Sequence, residues 1–171
     1  MIELSIPGVF LIEQTNYEDS RGTFNRLTDD SWLPEGISIV QTSFSRNKKV
    51  GTLRGLHYQK NKTSEYKIVS VVQGSVYDVL VDLRNDSKNR NMCVEIELSK
   101  NDYKALLIPP GVAHGFQTLE EETLLFYAMS SKFDPNNYFG VRWNDPNLEI
   151  KWPMLPTMIS KQDNSWPLIK E

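Results

Sequence analysis

An all-β fold, a sandwich or barrel of short strands, is the class this sequence predicts. Three observations carry that expectation. Short apolar or alternating runs recur along the chain, many of them rich in Val, Ile, Tyr and Phe, which suit a pleated, half-buried surface. Turn residues separate these runs at close intervals. Few windows keep the 3.6-residue period of a helix with one apolar face.

Taken in order, the expected strands are residues 9–13, 37–45, 52–59, 66–72, 75–83, 92–98, 105–108 and 117–129. Between the fourth and fifth, Val72-Gln73-Gly74-Ser75 reads as a tight hairpin, with Gly74 able to take a positive φ. Short helices are expected at residues 27–33 and at the turn 99–103. From Trp152 to Pro167 alternation is lost, and Pro153, Pro156 and Pro167 interrupt the chain. This stretch is expected to be an extended arm lying on the barrel. Such an arm can carry a side chain back to a site made by distant strands.

The chain has 171 residues, which suits one compact domain over 1–171 with a core large enough to be stable alone. Hydrophobic residues make up 39% and charged residues 24%, which argues against disordered and membrane classes. The formal net charge of -3 argues against a generic nucleic-acid binder, which is usually basic. A few local Arg and Lys still suffice for one diphosphate. The single cysteine, Cys93, forbids an intrachain disulfide and fits a reducing compartment. Met1-Ile2-Glu3-Leu4 lacks the basic start and apolar run of a signal peptide, and no apolar stretch approaches the ~18 residues that span a bilayer. A soluble, cytoplasmic protein with no membrane partner is expected.

Two histidines are present, in Leu53-Arg54-Gly55-Leu56-His57 and in Pro109-Pro110-Gly111-Val112-Ala113-His114-Gly115-Phe116. Histidine is the natural general base near neutral pH, with a reference pKa of about 6.5. The plainer alternative for either is a structural imidazole bonded to backbone. The spacing Pro109-x-Gly111-x-x-His114 resembles the second motif of cupin barrels. The first cupin motif supplies metal ligands as His-x-His followed by Glu, but here Gln59 stands two residues after His57. A metal usually needs three or more suitable ligands. The expectation is therefore a cupin-type jelly-roll β-barrel with a few short helices and an extended C-terminal arm, and with neither metal nor cofactor.

Several further segments extend the resemblance. They are Arg21-Gly22-Thr23-Phe24, the run from Gln41 through Gln59, Val81-Asp82-Leu83-Arg84, the segment around His114, Phe126-Tyr127, Arg142-Trp143-Asn144-Asp145-Pro146 and Ser160-Lys161-Gln162-Asp163. In content and order they resemble the dTDP-4-dehydrorhamnose 3,5-epimerases, over nearly the whole chain. That resemblance implies a nucleotide-diphospho-4-keto-6-deoxy sugar as substrate, within deoxysugar synthesis for a surface polysaccharide or glycosylated product. The 4-keto group acidifies the C–H bonds at C3 and C5. A base removes one proton, an enolate forms, and a proton returns on the other face. Such chemistry needs a base, an acid across the ring, a stabiliser for the enolate oxygen and a diphosphate clamp.

The resemblance assigns these parts residue by residue. His57 matches the base, and Asp163 the carboxylate that pairs with it. Tyr127 matches the acid opposite, and Lys67 the cation near the keto oxygen. Asp82 matches a buried carboxylate near that lysine. Arg21 and Arg54 match diphosphate contacts, and guanidinium donors suit phosphate bidentately. Gln41 matches a polar residue of the nucleotide site, and His114 either a sugar contact or a prop for its turn. The chain departs from the family pattern at Arg26, where a glutamate is usual, at Gln41-Thr42-Ser43, where Gln-x-Asn is common, and at Phe133, where a second tyrosine is common. Arg26 and Phe133 are therefore expected to shape nucleotide choice. A homodimer with exchanged N-terminal strands is implied as well. The alternatives are an epimerase of one carbon only, C3 or C5, on a different nucleotide sugar, and a cupin that binds a sugar nucleotide without catalysis.

Overall fold

The computed structural model describes residues 1–169. One antiparallel sheet runs in the order β1 (Ile2–Glu3), β2 (Phe10–Glu13), β10 (Lys104–Ile108), β7 (Lys67–Gln73), β12 (Thr123–Met129) and β5 (Gln41–Asn47). A second runs β13 (Tyr138–Gly140), β6 (Thr52–Gln59), β11 (Val112–Thr118), β8 (Ser75–Asp82) and β9 (Cys93–Ser99). To the start of β6 a short β14 (Met158–Ile159) adds in parallel. A separate hairpin, β3 (Asn16–Asp19) with β4 (Gly22–Asn25), pairs with neither sheet.

The two large sheets face each other as a jelly roll. Val69, Val71, Leu106 and Leu125 from the first sheet interleave with Val76, Leu80, Val112 and Phe116 from the second. Each fully buried side chain of this size contributes about 1.5–3 kcal/mol of transfer free energy. The outer faces are covered too. Ile68, Ala105, Leu107 and Ala128 point away from the sandwich and meet Trp32, Leu33, Ile37 and Ile39. On the opposite side Leu56, Val79, Val81 and Ala113 meet Val141, Leu148, Ile150 and Trp152. Sheets covered on both faces explain why β7, β8 and β11 read as nearly continuous apolar runs rather than clean alternation.

Most expected strands are present, with shifted ends. The run expected at 37–45 becomes β5, Gln41–Asn47, because Ile37 and Ile39 serve as cover for the outer face. The run expected at 117–129 is two strands, β11 and β12, parted by a turn in which Glu122 takes φ 53°. Residues 99–103 form a turn and not a helix: Asp102 accepts from the Ser99 backbone N–H at 2.7 Å, satisfying locally what a helix would satisfy by ladder. Residues 27–33 shrink to one 3-10 turn, Asp30–Trp32, capped by Asp29 accepting from the Ser31 N–H at 3.0 Å. The arm is extended as expected and is tied down by β14 and by a 3-10 turn, Asp163–Ser165.

Candidate active site

One end of the inner layer is polar, and alternation along the strands puts it there. Lys67 shares a face of β7 with the core residues Val69 and Val71, and Tyr127 shares a face of β12 with Leu125. On β11, His114 sits between inward Val112 and Phe116. His57 lies directly opposite His114 in the β6–β11 register. With Arg54, Phe116, Tyr138 and the arm residues Ser160, Gln162 and Asp163, these groups line one cavity of about 410 Å³. Ser43, Phe44 and Ser45, from edge strand β5, complete its wall.

Arg54 and His57 are three residues apart, so strict alternation would send them to opposite faces. A bulge resolves this: two steps on β11, His114 to Phe116, oppose three on β6, Arg54 to His57. The price in side-chain volume falls on two glycines. Gly55 has φ +122°, and a Cβ there would stand 2.4 Å from the Gly115 Cα and 2.8 Å from the His114 carbonyl oxygen. Thus the glycines of Arg54-Gly55 and His114-Gly115 are one device, and they aim both Arg54 and His57 into the cavity.

The electrostatics suit proton chemistry. Burial, with the nearby Lys67, His114 and Arg54 charges, holds the His57 imidazole well below its usual pKa of 6.5. At neutral pH it is an unprotonated base. Its Nδ1 is buried with no hydrogen-bond partner among the described residues. Burial, reinforced by the Asp78 charge, pushes the Tyr127 phenol far above 10, so it keeps its proton and can donate it. Asp163 is 7% exposed; burial raises its pKa, against lowering by hydrogen bonds from Ser160, the Gly55 backbone and Trp166 and by the Arg54 charge. Asp163 and His57 line the same cavity, and no hydrogen bond joins them.

Two site residues carry little signal in the sequence. Asp78, on β8 and 0% exposed, bonds His114 Nε2 at 2.9 Å and fixes that ring behind the cavity. It sits in an apolar strand and reads there as an ordinary alternation; only the facing histidine reveals its purpose. Tyr138 is the other. Its ring lies 4.9 Å from that of His57, 5.2 Å from Phe133 and 5.8 Å from Trp166, forming an aromatic wall beside the base. Strand β13 is three residues long, too short to announce itself.

The expected binding residues divide. Arg54 lines the cavity, its Nε donating to Asn47 Oδ1 at 2.8 Å, and it forms no salt bridge among the described residues. Its guanidinium is thus available to an anion. Phe133 and Gln41 do not line the cavity: Phe133 is 55% exposed and edge-on to Tyr138, which does, and its N–H donates to Gln41 Oε1 at 3.0 Å. Arg21 and Arg26 are not brought to the cavity of their own chain. Arg21 pairs with Asp19 at 2.6 Å on the β3–β4 hairpin, and Arg26 with Asp29 at 2.8 Å. Asp82 also lies elsewhere: its carboxylate accepts from Arg84 Nε at 2.9 Å and Ser87 Oγ at 2.6 Å, closing the turn after β8. Asp78, four residues earlier on the same face of β8, is the buried carboxylate that bonds the cavity residue His114. Among the described residues no group of three or more His, Cys, Asp or Glu side chains could hold a metal ion.

Comparison with known proteins gives the family. The family model described as dTDP-4-dehydrorhamnose 3,5-epimerase matches residues 3–171. The enzyme of that name from Sinorhizobium fredii is 34% identical, over 98% of this chain and 88% of its own length. The crystal structure of the Bacillus anthracis dTDP-4-dehydrorhamnose 3,5-epimerase with TDP and PPi bound superposes with a TM-score of 0.92 at 36% identity, covering 98% of each chain. The Legionella pneumophila dTDP-6-deoxy-D-glucose-3,5-epimerase in complex with dTDP-4-keto-L-rhamnose gives a TM-score of 0.89 at 34% identity, covering 98% of this chain and 90% of that one. A cupin-type jelly roll, a polar cavity fit for proton transfer, and a match across nearly every residue converge: the chain belongs to the dTDP-4-dehydrorhamnose 3,5-epimerase family of isomerases.

Proposed function

We propose that this chain inverts C3 and C5 of a dTDP-linked 4-keto-6-deoxy sugar through enolate intermediates formed in the His57 cavity. The observation that carries the reading is the lining of one cavity by a neutral imidazole, an ammonium and a proton-bearing phenol. His57 takes the proton beside the keto group. Lys67 meets the negative charge that develops on the keto oxygen, where a fixed cation in a sheltered site is most effective. Tyr127, from the opposite sheet, returns a proton to the other face of the ring. Asp163 turns to the His57 Nδ1 when that ring becomes charged, a contact that tightens only in the complex. Arg54 takes the diphosphate.

The same reading makes the protein a homodimer. Strand β5 ends its sheet as an open edge and presents Phe44, 73% exposed, next to cavity residues. Open edges invite pairing. The β3–β4 hairpin pairs with neither sheet and exposes Tyr17 and Phe24. Exchange of N-terminal strands would carry this hairpin, with Arg21, to the edge of the other copy.

The test is incubation of the purified protein with dTDP-4-keto-6-deoxyglucose in deuterated water. Deuterium at both C3 and C5 is expected. Label at one carbon alone would make it a single-carbon epimerase, and label at neither would make it a binding protein.

A further inference from the structure

Lys67 does not stand alone. Its Nζ lies 3.4 Å from Glu65 Oε1, and the two side chains are only 13% and 10% exposed. The other oxygen, Glu65 Oε2, accepts from Gln59 Nε2 at 3.0 Å. Gln59 is itself 4% exposed, its Nε2 also reaches the Lys132 carbonyl at 3.2 Å, and its Oε1 accepts from the Asp134 N–H at 2.7 Å. A continuous chain of buried polar contacts therefore joins the cavity lysine to the backbone on both sides of Phe133. A carboxylate buried this deeply is costly unless something needs it.

The groups that face the ammonium come from four other strands and the arm. His57 and Arg54 come from β6, His114 from β11, Tyr127 from β12, Tyr138 from β13 and Asp163 from the arm, with Asp78 behind His114. Of the carboxylates among the described residues, Glu65 alone forms a salt bridge with Lys67. We infer that Glu65 is a positioning residue for the reaction: it holds Lys67 charged and aimed at the enolate oxygen, and through Gln59 it couples that lysine to the loop that carries Phe133. The inference rests on the reading of Lys67 as the cation that meets this oxygen.

Glu65→Gln tests it, because a glutamine keeps one acceptor for Gln59 while it removes the charge and the second acceptor that face Lys67. An opposite charge at this distance favours the charged form of the lysine. Its loss therefore lowers the pH at which Lys67 gives up its proton. The alkaline limb of kcat/KM for C3 and C5 exchange should move to lower pH, with KM for the dTDP sugar within about twofold of wild type. Glu65→Asp should restore part of the limb. Trace acetylation of Lys67 across pH, read by peptide mass spectrometry, gives the lysine's titration independently of turnover and should shift in the same direction. An unmoved acetylation midpoint in a folded Glu65→Gln protein would overturn the inference, whatever the activity. So would a uniform loss of rate at all pH with no shift of the limb. Lys67→Met separates the two readings. If it still exchanges at the wild-type rate, the role of Lys67 fails; if it is inactive while the Glu65→Gln midpoint is unmoved, only the role of Glu65 fails.

Discussion

Arg54 and Arg21 are both arginines followed by glycine, yet the fold treats them differently. Arg54 lies on a strand that a bulge has turned, and it faces a cavity with no carboxylate in salt-bridge contact. Arg21 lies on a free hairpin and is held by Asp19, two residues away. Arg26 repeats the second pattern with Asp29. Whether a charge can serve a ligand is thus decided by which groups the backbone sets around it. Inside the sandwich the neighbours come from five strands far apart in sequence. At the hairpin they come from the next few residues. The cavity is therefore built by topology, and the hairpin's ion pairs by local pairing.

The sharpest way to break this comparison is His57→Ala. Removal of a positioned general base costs about 10²–10⁴ in rate, whereas dTDP binding, carried by groups outside the ring, should stay within a few-fold. Isotope exchange and equilibrium binding on the same preparation measure the two. Wild-type exchange in the variant would assign the base to another residue. Tyr127→Phe should come next: with the phenol hydroxyl gone but the ring retained, deuterium still enters while inverted product falls by roughly ten- to a hundredfold. Full product yield would exclude Tyr127 as the required acid.

Gly55→Ala tests the device that aims Arg54 and His57 together. The new methyl meets backbone atoms of His114 and Gly115, which cannot swing aside, at a φ of +122° that other residues avoid. A loss of about 2–4 kcal/mol in unfolding free energy is expected, seen as an earlier denaturant midpoint. A variant as stable as wild type would show that the bulge is not constrained by these glycines.

The state of His57 can be sharpened by titration. Burial comes first among the causes that lower its pKa, and the Lys67 charge second. A base must be unprotonated, so activity should be retained on the alkaline side of its midpoint and fall below it. The acid limb of kcat/KM is accordingly expected below pH 6.5. In Lys67→Met the imidazole signal, followed by NMR, should titrate at higher pH than in wild type. An unshifted midpoint would mean that Lys67 and His57 do not share the cavity field.

How much of this was legible follows the same division. Eight strand runs, the two histidines and the extended arm show in the sequence, because strand composition and Gly-His motifs are local signals. Asp78 does not, since a carboxylate within Val76–Asp82 looks like any alternating position until His114 is seen opposite its face. Asp82 lies four residues further along the same strand, and its partners, Arg84 and Ser87, are local, so that it closes a turn and does not reach the cavity. Tyr138 was hidden by the brevity of β13, and Glu65 by lying in a loop whose only distinction is what it touches. The β3–β4 hairpin, with a two-residue connection at Ser20-Arg21, gives no strand signal of its own because its aromatic residues point to solvent and not to a core.

The smallest effects belong to the nucleotide end, and they decide how far the comparison reaches. Phe133 stands outside the cavity wall, its backbone pinned by Gln41 and its ring against the lining residue Tyr138. A ring so placed can stack on a base or pack on a sugar, but it offers no hydrogen bond. Replacement by alanine should weaken dTDP by about 0.5–1.5 kcal/mol, several-fold in Kd. Arg26 is engaged in an exposed pair with Asp29, and such surface pairs contribute little because solvent screens them. Arg26→Ala should therefore change the Kd of dTDP by less than about threefold, and its preference over UDP, CDP or GDP still less. Phe133→Tyr restores a donor and an acceptor beside the cavity wall, and it should raise discrimination between these nucleotides by up to about tenfold, the worth of one hydrogen bond. Calorimetric titration of the four diphosphates against the three variants sets the order. If Arg26→Ala costs more than Phe133→Ala, and the loss grows at low salt, then the hairpin side reaches the nucleotide after all. That outcome would place the strand exchange between copies at the centre of nucleotide recognition, and the local Arg26–Asp29 pair would be a resting contact that the diphosphate displaces.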